Sequence, residues 1–128
     1  MGTRSLTYVY DNKEPLVCMY RQFDGYPSGH GEELAKFLSP IEIVNGLRYD
    51  SKSKVANGAG CLAAQMVGHF KTDAGGIYLQ SVTNRDYDWI DYIYHVYVDS
   101  ETLSVTVEIQ DKLKPTTVAE FKKYCEEN

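Results

Sequence analysis

The chain has 128 residues, of which 43% are hydrophobic and 24% charged, and its net charge is −5. A chain of this length can bury roughly two-thirds of its unfolded surface, so one globular domain needs no metal or disulfide to fold. The acidic surplus, with no basic cluster beyond Lys122-Lys123, argues against direct DNA or RNA binding, which draws its affinity from phosphate neutralisation.

Residues 3–10 alternate Leu6, Tyr8 and Tyr10 with Ser5, Thr7 and Val9, which predicts a strand. A polar five-residue loop leads to a second strand over 16–22, and the two form a hairpin. The simplest register sets Tyr10 against Leu16, Tyr8 against Cys18, Leu6 against Tyr20 and Arg4 against Gln22. That register brings Gly2, Thr3 and Arg4 beside the loop over 24–31. Ser28 is expected to cap a short helix over 32–38, with Glu32 and Glu33 at its positive end and Leu34, Phe37 and Leu38 facing inward. Ser39-Pro40 stops it.

Residues 41–44 are expected to be extended, and 45–54 polar and exposed. A second helix is predicted over 56–70, with Leu62, Met66 and Phe70 beside Ala59, Ala63 and Val67 on its apolar face. A strand over 77–82 and a charged loop precede a hairpin of residues 89–98 and 102–110. There Tyr92, Tyr94, Val96 and Val98 are set against Ile109, Val107, Val105 and Leu103 on a core face. Ile93, His95 and Tyr97 lie opposite Glu108, Thr106 and Ser104 on a partly solvated face. A last helix over 117–126 opens on a capping box of Thr117 and Glu120. The order ββ-α-α-βββ-α predicts a single α+β domain over 1–128, an antiparallel sheet of about five strands with helices packed on one face.

Cys18, Cys61 and Cys125 are odd in number and far apart, and with His30, His69 and His95 they form no zinc-ligand spacing. A reduced, cytoplasmic protein without metal or cofactor is expected. No apolar signal run and no run of membrane-spanning length occurs, so no membrane association is expected. Eleven tyrosines against four phenylalanines suit half-buried strand faces and binding surfaces.

The densest run of chemically capable side chains is Tyr20-Arg21-Gln22-Phe23-Asp24-Gly25-Tyr26-Pro27-Ser28-Gly29-His30-Gly31. Free amides at a helix start beside glycines suit an anion. Arg4 and Arg21 would clamp its oxygens and Tyr26 would stack on a ring, with Asp24, Ser28, Gly29, His30 and Gly31 completing the ligand-binding set. The Lys-Ser/Thr pair of a P-loop is missing. His30 and Asp24 are the acid–base candidates close in sequence, and no catalytic triad can be placed. The alternative is a structural loop, in which Asp24-Gly25 turns, Pro27 stiffens and Ser28 caps.

Asn57-Gly58-Ala59-Gly60 divides in the same way between a phosphate-binding helix start and close packing on the sheet. Asp86, Asp88 and Asp91 lack the oxygen spacing of a calcium loop. Around them Tyr87 and Trp89 are candidate protein-contact residues.

Gly2-Thr3-Arg4-Ser5-Leu6-Thr7, followed by Met19 and the run from Tyr20 to Gly31, resembles a group of small uncharacterised proteins from bacteriophages and mobile elements. The resemblance covers the first forty residues specifically and implies a setting, not catalytic residues. Small acidic phage proteins are often counter-defence factors. Some sequester cyclic nucleotide or ADP-ribose-like signals, and others block a host defence protein directly.

Three readings follow. The leading one is a non-enzymatic protein that holds a small phosphate-bearing ligand between Gly2–Arg4 and Tyr20–Gly31. The second is an inhibitor acting by protein contact, anti-CRISPR-like or against another defence, through Tyr87 and Trp89. The third is a nucleotide-degrading hydrolase using His30 and Asp24. A homo-oligomer paired through a strand edge, over 3–10 or 103–109, is also open.

Overall fold

The computed structural model describes residues 2–46, 54–84 and 86–128. Its elements are β1 (Ser5–Asp11), β2 (Glu14–Arg21), a π-helical turn (Pro27–Gly31), α1 (Glu32–Leu38), β3 (Glu42–Val44) and β4 (Val55–Asn57). They continue with α2 (Gly58–Phe70), β5 (Ile77–Gln80), β6 (Tyr92–Asp99), β7 (Ser104–Ile109), β8 (Leu113–Thr117) and α3 (Val118–Glu127). Six strands form one sheet in the order β5-β2-β1-β6-β7-β8, and β3 pairs with β4 in a separate parallel ribbon. The fold is α+β with a mostly antiparallel main sheet, as the pattern of elements predicts.

The first hairpin keeps its expected inner register, Leu6 against Tyr20 and Tyr8 against Cys18. Its turn is tighter than expected. A bulge between Val9 and Tyr10 sets Tyr10 against Pro15 in place of Leu16, and Asp11 pairs with Glu14. Asn12 takes the left-handed conformation at φ 57° that so short a loop needs.

β1 also pairs with β6, in parallel, from Ser5 against Tyr92 to Asp11 against Val98. This places β1 inside the sheet, where Ser5 to Val9 are all buried. β7 is interior too, between β6 and β8. Neither 3–10 nor 103–109 is therefore a free edge for pairing across a dimer axis, and the edges of the main sheet are β5 and β8.

The β6–β7 hairpin has the predicted faces with the register moved by two residues: Tyr94 opposes Ile109, Val96 opposes Val107 and His95 opposes Glu108. Two-residue steps leave each side chain on its own face.

The three helices share one side of the sheet. Leu34 and Leu38 of α1, Leu62 and Met66 of α2, and Phe121 and Cys125 of α3 are buried against Val9, Met19, Tyr94, Val96, Val107 and Ile109. Fully burying a side chain such as Phe121 or Leu62 contributes about 1.5–3 kcal/mol. α3 starts as its capping residue dictates, with Thr117 Oγ1 accepting from Glu120 N at 3.2 Å. α2 begins two residues later than its apolar pattern suggests, because Val55–Asn57 pairs with β3 and Gly58, at φ 82°, turns the chain into the helix. The expectation of an exposed polar stretch over 45–54 falls mostly outside the described residues.

The other face carries the tyrosines. Leu6, Tyr8, Cys18 and Ile93 form a smaller cluster under Val82, Tyr87 and Ile90 of the loop before β6. Tyr8, Tyr10, His95 and Tyr97 line up ring against ring, with Tyr10 and Tyr97 centroids 4.7 Å apart. Their polar tips are paired: Tyr10 donates to His95 Nδ1 (2.7 Å), His95 Nε2 to Gln110 Oε1 (2.9 Å) and Tyr97 to Glu108 Oε1 (2.6 Å). Sheet-face amphiphiles account for the tyrosine content here.

Candidate functional site

The N-terminal segment and the loop after β2 do meet. Gly25 N donates to Thr3 O at 2.9 Å, and Tyr94 reaches up from β6 to donate to Gly25 O at 2.7 Å. The glycines serve this packing. A Cβ on Gly25 would lie 2.8 Å from Ser5 Cβ, one on Gly29 2.5 Å from Asp24 O, and one on Gly31 2.6 Å from Cys125 Sγ.

The amides expected to cradle an anion are used inside the turn. Gly29 N donates to Tyr26 O (2.9 Å), His30 N to Asp24 O (2.8 Å) and Gly31 N to Tyr26 O (3.4 Å). The first turn of α1 is preceded by the π-helical turn, so Ser28 sits exposed within that turn and caps nothing; neither element has a side-chain cap. Tyr26 is 37% exposed and lies over Gly29, its hydroxyl donating to Asp24 Oδ1 at 3.3 Å. Arg4 is held by its backbone, its N donating to Asp91 Oδ2 (2.9 Å) and its O accepting from Asp91 N (2.9 Å).

Beneath the turn lies a buried polar chain. His30 has no exposed surface. One ring nitrogen meets Thr7 Oγ1 at 2.8 Å and the other meets Arg21 Nη1 at 3.2 Å. An arginine only donates, so Nδ1 accepts and Nε2 carries the proton, donating to Thr7. Burial, reinforced by the Arg21 charge, lowers the His30 pKa to about 3. A neutral imidazole with both nitrogens engaged and no exposed surface is not set up as a general base, and Asp24 meets it through its backbone carbonyl. Among the described residues, Ser5 Oγ, also buried here, has no hydrogen-bond partner.

Arg21 leads out of this chain to a different place. Its Nε donates to Phe23 O (2.6 Å) and its Nη1 to Glu33 Oε2 of α1. Arg21 then lines a cleft of about 810 Å³ between α1, the end of α2 and the approach to β5. Phe37, His69 and Phe70 form one aromatic wall, with centroids 5.0 Å apart from Phe37 to His69 and from His69 to Phe70. Lys36, Lys54, Glu33 and Asp73 add charge, and the exposed ring of Phe23 stands beside Arg21. Lys71 closes the loop at the far end, donating to Ile77 O at 2.7 Å.

Of the predicted ligand set, Arg21 alone lines this cleft; Arg4, Asp24, Tyr26, Ser28, Gly29, His30 and Gly31 do not. Phe37 and Phe70 carry a core signature in the sequence, and His69 is explained by its place in the last turn of a helix. Their shared wall arises because the ends of two helices meet, which no local pattern encodes. The Gly58 turn lies outside the cleft, and among the described residues nothing comes within 4 Å of a Cβ on Gly58 or Gly60, so close packing against them does not explain those glycines.

On the opposite side, Trp89 is 66% exposed in the loop that holds Asp86, Asp88 and Asp91, while Tyr87 is half-buried and bonds Tyr8. No helix among the described residues is long and apolar enough to cross a membrane, and no three His, Cys, Asp or Glu side chains among them cluster as a metal site. No protein-family model, curated protein or solved structure matches the chain.

Proposed function

We propose that the protein is a non-enzymatic binding module for a small molecule carrying a phosphate and a flat ring, held in the cleft between α1, α2 and β5. One observation carries this reading: a largely buried guanidinium, Arg21, opens into a cleft walled by Phe37, His69 and Phe70. The volume lies within the range of about 300–1,000 Å³ common to small-ligand sites. Arginine suits phosphate oxygens, aromatic faces suit a base, and Lys36 and Lys54 supply further positive charge. A cyclic nucleotide or an ADP-ribose-like signal has this chemistry. The N-terminal resemblance to phage proteins suggests the purpose, removal of a host defence signal by sequestration.

The test is to incubate the purified protein with cell extract and with a panel of mono-, di- and cyclic nucleotides. Retained small molecules are then identified by mass spectrometry and checked by thermal shift. The reading expects an intact ligand that raises the melting temperature in wild type and is lost in Arg21→Ala and Phe70→Ala. A consumed nucleotide would point instead to a hydrolase.

A second reading is favoured by the exposure of Trp89 within the acidic 86–91 loop. It makes the protein an inhibitor that docks this loop on a basic patch of a defence protein. A stable complex that survives loss of Arg21 and fails on loss of Trp89 would select it.

A further inference from the structure

The cleft holds a largely buried cation with an exposed counter-ion. The Arg21 side chain is 16% exposed and that of Glu33 52% exposed. Nε and Nη1 of Arg21 are taken up by Phe23 O, His30 Nδ1 and Glu33 Oε2. Among the described residues, Nη2 makes no hydrogen bond, although Arg21 lines the cleft. Glu33 is therefore the only carboxylate of the described residues in an ion pair with this guanidinium, and it reaches only one of the two terminal nitrogens.

We propose that Glu33 is a built-in competitor: in the ligand-free protein its carboxylate occupies the guanidinium that the ligand's phosphate takes, and the ligand binds by displacing it. The inference rests on reading the cleft as an anion site. A phosphate that spans Nη1 and Nη2 makes two parallel charge-assisted bonds where Glu33 makes one. Releasing Glu33 costs little, because an ion pair to a half-exposed side chain is weak. The freed carboxylate also has somewhere to go: Lys36, three residues on along α1, lines the same cleft. The exchange selects ligands with two unesterified oxygens on one phosphorus, and it discriminates against anions that offer no second contact. Glu33 thus sets a threshold for binding without touching the ligand ring.

The experiment is calorimetric titration of wild type, Glu33→Gln, Arg21→Ala and Arg21→Lys with ADP-ribose, cyclic AMP and inorganic pyrophosphate at low salt. Glu33 is exposed, so Glu33→Gln should fold as wild type does, and its melting temperature is the control. The expected result is tightening of at least one phosphate probe by roughly fivefold in Glu33→Gln, with loss of binding in Arg21→Ala. Arg21→Lys, which keeps the charge and loses the fork, should bind weakly and gain nothing from an added Glu33→Gln. Binding in wild type that depends on Arg21 but is unchanged or weaker in Glu33→Gln would overturn the competition and leave the cleft reading intact. No binding by wild type or Glu33→Gln would overturn both.

Discussion

The guanidinium of Arg21 donates to Nδ1 of His30 across 3.2 Å, and this contact fixes the imidazole as the neutral Nε2–H tautomer. Its folded pKa of about 3 lies below the ordinary 6.5, so the unfolded chain takes up this proton first as pH falls. The His30 contribution is fully present above pH 6.5 and is lost between 6.5 and about 3. Stability should fall across that window at up to about 1.4 kcal/mol per pH unit from this group. Urea denaturation at stepped pH values checks it, and the slope should shrink in His30→Gln.

Gly31→Ala should destabilise the protein by about 1–3 kcal/mol, because the new methyl group would meet Cys125 Sγ at 2.6 Å in the α3 contact. Cys125→Ala makes room for it. The double variant should therefore be more stable than the two separate losses add up to, a coupling that chemical denaturation of all four proteins would measure.

Trp89→Ala removes a side chain that is 66% exposed. It should change folding stability by no more than about 0.5 kcal/mol and leave retention of a cleft ligand untouched. If the acidic loop is the working surface instead, the same variant loses partner capture while its melting curve stays that of wild type.

Thiol labelling of the native protein should modify Cys61 first. Cys18 and Cys125 are buried, and burial together with Glu32 and Glu126 pushes the Cys125 pKa up to about 12, which starves it of thiolate. Mass spectrometry after a short exposure to iodoacetamide should find one label per chain, and three once denaturant is added.

Period-two alternation was enough to place Leu6 opposite Tyr20 and Tyr8 opposite Cys18, because a slip by one residue would turn Leu6 and Tyr8 away from their buried cluster. The helix over 32–38 and the cap at Thr117 were legible for equally local reasons. Pairing of β1 with β6 was not, since a parallel neighbour leaves no mark on either strand beyond burial of both faces. β8 was hidden by Pro115, which is tolerated because β8 is an edge strand.

The site divided along the same line. The meeting of Thr3 with Gly25 followed from the hairpin, and Arg21 was recognisable as a cation with work to do. Its direction depended on Thr7 and His30, whose bond lies across the fold and not along the chain. The loop glycines looked like an anion cradle because close packing and phosphate binding favour the same small residue. Only the positions of Cys125, Ser5 and Asp24 around them distinguish the two.

The parallel contact between Ser5 and Tyr92 has a consequence for assembly. A strand made early finds its inner neighbour only after more than eighty further residues have been synthesised, so until then β1 has one long edge uncovered. Such a topology folds late and slowly compared with one built from adjacent elements. During that interval the edge that β6 later covers is the part of the nascent chain most open to pairing with another molecule.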